Sequence, residues 1–264
     1  MVTTLTHAVS TFARRVRSNE RVVGTFVKLA GLEPVDLIMR AGFDFAVLDG
    51  EHSQLTDDEI GRAVRHSAVI GLPMLVRLPA VDPGRANRYL EAGAVGIQVS
   101  SIVSSEQARA LRDALRYPPM GTRSVSAAQP AARYGALRLA EYVDAVADDP
   151  PLVVGQLETA TTEDPLGQIL DPLDVAFVGT TDLSVDLGVP GMLEHPDVLG
   201  RIDEIAAGAA SSGTPLGGWV GGSRQLAELE ERGATYLLVG SDLDAFKRSL
   251  AELWASTQRA EGVR

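Results

Sequence analysis

Short apolar runs alternate along the chain with longer amphipathic ones. The strand-like runs are Val22–Leu29, Phe45–Asp49, Met74–Leu78, Gly96–Val99, Leu152–Glu158, Val175–Gly179, Pro215–Trp219 and Tyr236–Gly240. Their apolar positions are mostly continuous, as expected of strands buried on both faces of a parallel sheet. Helical periodicity fills Pro34–Ala41, Asp57–Val69, Pro83–Ala92, Ser104–Leu115, Pro196–Ala210, Ser223–Arg232 and Leu243–Arg259. Thr56-Asp57-Asp58-Glu59 reads as a capped, acid-rich first turn, and Gly71, Gly93, Gly213 and Gly233 as helix stops. Repeated β–α order predicts a parallel sheet. Eight such units predict closure into a (β/α)8 barrel, the TIM-barrel architecture of the α/β class.

Two segments stand outside that rhythm. Leu5, Val9, Phe12 and Val16 share a helical face, which predicts an amphipathic N-terminal helix lying across one end of the barrel. Tyr117–Pro151 is long for a connection in a compact domain; it opens Tyr117-Pro118-Pro119-Met120-Gly121-Thr122-Arg123 and is mostly helical afterwards. Connections of that length usually carry function or an interface. No low-complexity linker divides the chain, so residues 1–264 are expected to form one domain.

Composition narrows the functions available. The 264 residues are near the usual size of such a barrel. Lys and Arg number 24 against 35 Asp and Glu, a net charge of −11 without a long basic run, which disfavours nucleic acid as a partner. An anionic ligand would need local help from an arginine, a cation or helix N-termini. Cysteine is absent, which excludes disulfides, thiolate metal sites and thiol catalysis. No stretch approaches the roughly 18 apolar residues of a membrane span. Met1–Arg21 lacks the apolar core of a signal peptide, so a cytoplasmic protein without a membrane partner is expected.

Candidate chemistry sits where the apolar runs stop. Charged groups gathered at the carboxyl ends of parallel strands mark the ligand face of a barrel, and so near a core they need partners or a task. Glu158 and Asp182 end the fifth and sixth strands, adjacent around a closed barrel. Two hard carboxylates with room for water suit Mg²⁺ or Mn²⁺, although separate salt bridges or helix caps would also explain them. His52 follows Asp49-Gly50-Glu51 and could move a proton, or be a structural histidine bonded to a backbone carbonyl. Arg77 closes the third strand. It could bind a substrate carboxylate, stabilise an enolate oxygen, form a buried ion pair with Asp49 or Glu51, or combine these roles. Gly179-Thr180-Thr181-Asp182, before a helix start, offers backbone N–H groups to an anion.

Together these residues resemble the HpcH/HpaI aldolase family, the metal-dependent class II pyruvate aldolases. The resemblance runs from about Val22 to Ala251. It is carried by Ala41-Gly-Phe-Asp44, Leu48-Asp-Gly-Glu-His52, Val76-Arg77, Tyr117-Pro-Pro-Met-Gly121, Gln156-Leu-Glu-Thr159 and Gly179-Thr-Thr-Asp-Leu-Ser184. It implies a divalent cation (Mg²⁺ or Mn²⁺, with Co²⁺ as an alternative) held by Glu158 and Asp182. A small 2-oxo acid would chelate that ion and be contacted by Gln156 and the backbone around Thr181. Arg77 would stabilise the enolate oxygen. His52 would act as base through a water on the metal, assisted by an acid, with Glu91 where the family often has Asp. The resemblance further implies a homo-oligomer, a hexamer of trimer pairs exchanging their last helix, for which Leu243–Arg259 is available.

The implied reaction is aldol cleavage or condensation through a pyruvate enolate. The alternative on the same scaffold is citrate-synthase-like condensation with an acyl-thioester, or oxaloacetate decarboxylation. A barrel that merely binds a metabolite would not need His52, Arg77, Glu158 and Asp182 together. Three places depart from the family pattern. Ser100-Ser101 replaces a proline and an apolar residue, Ser124 and Ser126 replace glycines, and Thr180 replaces the proline of a Gly-Pro pair. All lie near the expected substrate mouth, so the usual sugar-acid or heptanedioate acceptor does not carry over.

Overall fold

Eight parallel strands close on one another in chain order: β1 (Val22–Val27), β2 (Phe45–Asp49), β3 (Met74–Leu78), β4 (Gly96–Val99), β5 (Leu152–Leu157), β6 (Val175–Val178), β7 (Leu216–Val220) and β8 (Ala234–Ser241). The computed structural model describes residues 11–261, with side chains to residue 258. The register sets Asp49 beside Arg77 and Arg77 beside Gln98, so three polar residues fall side by side on β2, β3 and β4. The predicted (β/α)8 architecture is the one observed.

Residues 11–17 form α1. The outer helices are α2 (Glu33–Ala41), α3 (Asp57–Ile70), α4 (Pro83–Ala92), α5 (Ser105–Leu115), α6 (Leu139–Asp148), α7 (Leu166–Leu170), α8 (Thr180–Asp186), α9 (Pro196–Ser212), α10 (Ser223–Glu231) and α11 (Asp242–Glu261). The Thr56 hydroxyl and Glu59 carboxylate form the capping box that starts α3, and Gly71 ends it in the left-handed region, φ 86°. The long connection before β5 contains a 3-10 turn, Pro130–Gly135, and then α6. Helix α7 is too short to show a period in the sequence.

Because strand side chains alternate in direction, each strand feeds two apolar layers. One lies between the sheet and the helices. The other fills the barrel and includes Phe26, Phe45, Val47, Leu75, Phe177 and Tyr236, all buried. Phe12 and Val16 of α1 join this inner layer, with the Phe12 and Phe45 rings 5.1 Å apart and Phe45 and Tyr236 4.5 Å apart. The predicted amphipathic face thus closes the amino-terminal end; Leu5 and Val9 lie outside the described residues. Arg15 pairs with Asp44 at 3.0 Å, and Arg17 with Asp174 at 2.8 Å and Asp149 at 3.2 Å, which fixes the plug.

Candidate active site

The apolar filling stops short of the carboxyl ends of the strands, where a cavity of about 280 Å³ opens. Phe26, Lys28, His52 and Arg77 line one side; Gln156, Phe177 and residues 179–182 line the other, and Trp219, Ser241 and Asp244 complete it.

The first side is built on Asp49, which is fully buried. Its carboxylate accepts Arg77 Nε at 3.0 Å and Nη2 at 2.6 Å, lies 3.1 Å from Lys28 Nζ, and accepts the backbone N–H groups of Glu51 and His52. Burial pushes this carboxyl upward. The Arg77 hydrogen bond and charge, the His52 N–H and the Lys28 charge outweigh it and hold the pKa at about 2. Arg77 Nη1 is 3.5 Å from Glu51 Oε2, and its guanidinium lies 4.6 Å from the Phe26 ring centroid. Arg77 is therefore ion-paired, as one of the readings open in the sequence has it, and also lines the cavity. His52 is fixed through its backbone, while its ring is exposed, with Nε2 3.8 Å from Glu51 Oε2.

The opposite side is acidic, and among the described residues it carries no cation. Glu158 is only 4% exposed. Its Oε1 accepts Ser101 N at 2.7 Å and Ser101 Oγ at 2.9 Å, and its Oε2 accepts Gln156 Nε2 at 2.6 Å. Burial raises its pKa above the ordinary carboxylate value; the Ser101 and Gln156 hydrogen bonds oppose that rise and the Asp182 charge adds to it. A Cβ at Gly179 would stand 2.1 Å from Glu158 Oε2, so glycine is required there to make room for the carboxylate. Asp182 is exposed in the first turn of α8, where the helix dipole favours an anion. Among the described residues neither acid has a salt-bridge partner, so the ion-pair explanation open in the sequence does not hold for them.

Two unneutralised carboxylates, one seated against a glycine, fit a hard divalent cation. Among the described residues no group of three or more His, Cys, Asp or Glu is gathered for a metal. With Glu158 and Asp182 as carboxylate donors, the other positions of the ion would be left to water and ligand, a set that suits Mg²⁺ or Mn²⁺.

The fold brings His52, Arg77, Gln156, Thr181 and Asp182 to one cavity, and Gln156 bridges to Glu158. Gln156 Oε1 accepts Gln98 Nε2 at 2.7 Å and lies 3.5 Å from Arg77 Nη1, so its amide joins the two sides. Glu91 is placed elsewhere. It precedes the last residue of α4, 3.5 Å from Asn87 Nδ2, and is not among the cavity-lining residues. A barrel helix runs back against its strands, so the end of α4 lies toward the opposite end of the barrel. Within this chain the acid nearest His52 is Glu51. Sequence reading missed Phe26, Lys28, Trp219, Ser241 and Asp244 as lining residues. Continuing the alternation from Phe26 would have found Lys28, one residue past the end of β1.

The family profile of HpcH/HpaI aldolase/citrate lyase matches residues 23–249. The chain is 31% identical to a 2-dehydro-3,6-dideoxy-6-sulfogluconate aldolase of Pseudomonas putida, over 88% of this chain and 90% of that protein. It is 30% identical to a hydroxypyruvate/pyruvate aldolase of Agrobacterium fabrum, over 92% of both. Among solved structures, an HpcH/HpaI aldolase from Desulfitobacterium hafniense superposes with a TM-score of 0.86 at 28% identity, covering 93% of this chain and 95% of that one.

Proposed function

The chain belongs to the HpcH/HpaI aldolase/citrate lyase family, and from that premise we propose that this carbon–carbon lyase makes or breaks an aldol bond through the enolate of a pyruvate-like 2-oxo acid. The observation that carries the reading is the division of the cavity. Across a space of about 280 Å³, Asp182 and Gln156 face Arg77 and His52, and Gln156 donates at 2.6 Å to Glu158 behind the cavity wall. Relatives named as pyruvate and sulfogluconate aldolases support the same substrate class.

Glu158 and Asp182 would hold Mg²⁺ or Mn²⁺, with Co²⁺ as an alternative. When bound, the ion would polarise the keto group of the oxo acid and lower the energy of its enolate. Arg77, locked by Asp49, presents a fixed positive charge to the oxygen on which enolate charge grows, so little reorganisation is needed. Gln156 is held by Gln98 and contacts the bound acid without swinging. The exposed ring of His52 moves the proton, either taking it from the donor methyl or returning it when the carbon–carbon bond breaks. Lys28 Nζ is engaged in an ion pair with the buried Asp49 carboxylate at 3.1 Å, which disfavours an imine route through this lysine.

Helix α11 supports an oligomer of identical chains. Leu243, Phe246, Leu250, Leu253 and Trp254 recur at helical spacing and are all exposed, a patch of the kind that a second copy covers. The family resemblance implies a hexamer, which light scattering after size exclusion would read directly. No helix among the described residues is long and apolar enough to cross a membrane. We propose the cytoplasm as its location from the small-molecule chemistry of its named relatives; cell fractionation tests the assignment.

The direct assay is pyruvate release from 4-hydroxy-2-oxo acids with Mg²⁺ or Mn²⁺. Turnover should stop with EDTA and return with added metal. Turnover that ignores EDTA, or an imine trapped by borohydride, would overturn the mechanism.

A further inference from the structure

Strand β4 is followed by two consecutive serines that reach different carboxylates. Ser100 Oγ donates to Glu51 Oε2. Ser101 donates to Glu158 Oε1 twice, through its backbone N–H at 2.7 Å and its hydroxyl at 2.9 Å. The divergence depends on the backbone. Ser100 N–H is tied to Leu78 O at 3.2 Å, continuing the ladder, whereas Ser101 turns into the left-handed region at φ 53°. A non-glycine residue stays there only when its surroundings hold it, and such strain gathers at functional sites. The proline and apolar residue of the family pattern would supply neither hydroxyl.

We propose that Ser100 and Ser101 are positioning residues, one for each side of the site. A carboxylate offers about four acceptor sites. The two Ser101 donors hold Oε1 and Gln156 holds Oε2. Ser101 would thus fix the orientation in which Glu158 meets a cation. Ser100 pins the Glu51 oxygen that lies 3.5 Å from Arg77 Nη1 and 3.8 Å from His52 Nε2. That hydroxyl keeps Glu51 between the cation and the base.

The inference rests on the functional reading above, and one set of measurements separates the two. Mn²⁺ affinity of the full chain is read by electron paramagnetic resonance, and enolate formation by solvent deuterium entering the pyruvate methyl group at saturating Mn²⁺. Ser101→Ala should weaken Mn²⁺ binding roughly 10-fold, the low end for loss of a bond that orients a ligand, because the backbone N–H remains. Its exchange rate at saturation should stay near that of the wild type. Ser101→Gly, which accepts the left-handed φ without strain, should show the same loss. Ser100→Ala should leave Mn²⁺ affinity unchanged, while lowering the saturated exchange rate several-fold and shifting its pH profile. Wild-type affinity and rate in all three variants would overturn the assignment, as would a loss in Ser101→Ala that Ser101→Gly lacks. A wild-type protein that neither binds Mn²⁺ nor exchanges would overturn the functional reading itself, and the serine roles with it.

Discussion

Asp44 and Asp174 sit at the amino-terminal end of the barrel, Glu158 and Asp182 at the other end, and the fold treats the two pairs oppositely. Asp44 accepts Val23 N at 2.9 Å and pairs with Arg15 at 3.0 Å. Asp174 accepts Val153 N at 2.9 Å and is flanked by Arg17 at 2.8 Å and Arg116 at 3.5 Å. Each aspartate ties a strand start to a cation. Above them Phe12 and Val16 exclude solvent from the barrel interior. At the carboxyl-terminal end Glu158 is held only by neutral donors, Ser101 and Gln156, and its burial leaves the charge disfavoured. The closed end uses its acids for stability. The open end leaves two acids uncompensated, at a cost that a bound cation would offset.

Substitutions can break that contrast, and the largest effect is expected at the open end. Glu158→Ala and Asp182→Ala should each abolish metal-dependent turnover while thermal unfolding stays near wild type, because waters cannot replace the lost charge. Arg17→Ala should behave in the reverse manner. It should lose about 1–3 kcal/mol of stability, because partly buried Asp149 and Asp174 lose their nearest cation, and keep its activity per folded molecule. Chemical denaturation beside the aldol-cleavage assay checks both variants. A Glu158→Ala protein that turns over at wild-type metal concentration would put the metal elsewhere.

Within the open end, His52→Ala should slow enolate formation by roughly 10²–10⁴-fold and leave metal and pyruvate binding intact, as removal of a positioned base does. Calorimetry beside single-turnover kinetics separates the two effects. Loss of metal binding in this variant would make His52 a ligand. At the closed end, Phe12→Ala should cost about 3–5 kcal/mol in urea unfolding, since it empties space against Phe45. A cost below about 1 kcal/mol would show that α1 is an attachment and not part of the core.

The smallest expected effect is set by acid. The folded pKa of Asp49, about 2, lies below its ordinary value. The ionised carboxylate therefore contributes stability above pH about 4, and that contribution is lost as pH falls from about 4 through about 2. The contribution is on the order of 2 kcal/mol. The stability difference between wild type and Asp49→Asn should shrink across that interval; a constant difference would mean that the Asp49 charge is not what Arg77 and Lys28 respond to.

Much of this contrast is legible in the sequence, and the limits have physical causes. Strands buried on both faces announce themselves as apolar runs, so a charge ending such a run, as with Arg77 and Asp182, stands out. Phe12 and Val16 reveal the plug by helical spacing alone. Ser241 and Asp244 escape notice because Gly240 reads as a stop, although β8 continues to Ser241 despite the glycine's φ of 57°. Helical spacing tells which face Glu91 shares but not that the end of α4 lies away from the cavity. The reach of Ser101 to Glu158 depends on a left-handed φ that nothing in the local sequence requires. Side-chain type is written in the sequence, whereas the turn that aims it is set by tertiary context.

The claim that the open end forms an enolate is tested most directly by incubating the protein with pyruvate and Mn²⁺ in deuterium oxide and following the methyl protons by NMR. The account predicts exchange that requires the metal, disappears with EDTA, is absent in Glu158→Ala and is slowed in His52→Ala. Exchange that persists without metal, or a wild-type protein that binds Mn²⁺ and pyruvate yet exchanges no methyl proton, would contradict it.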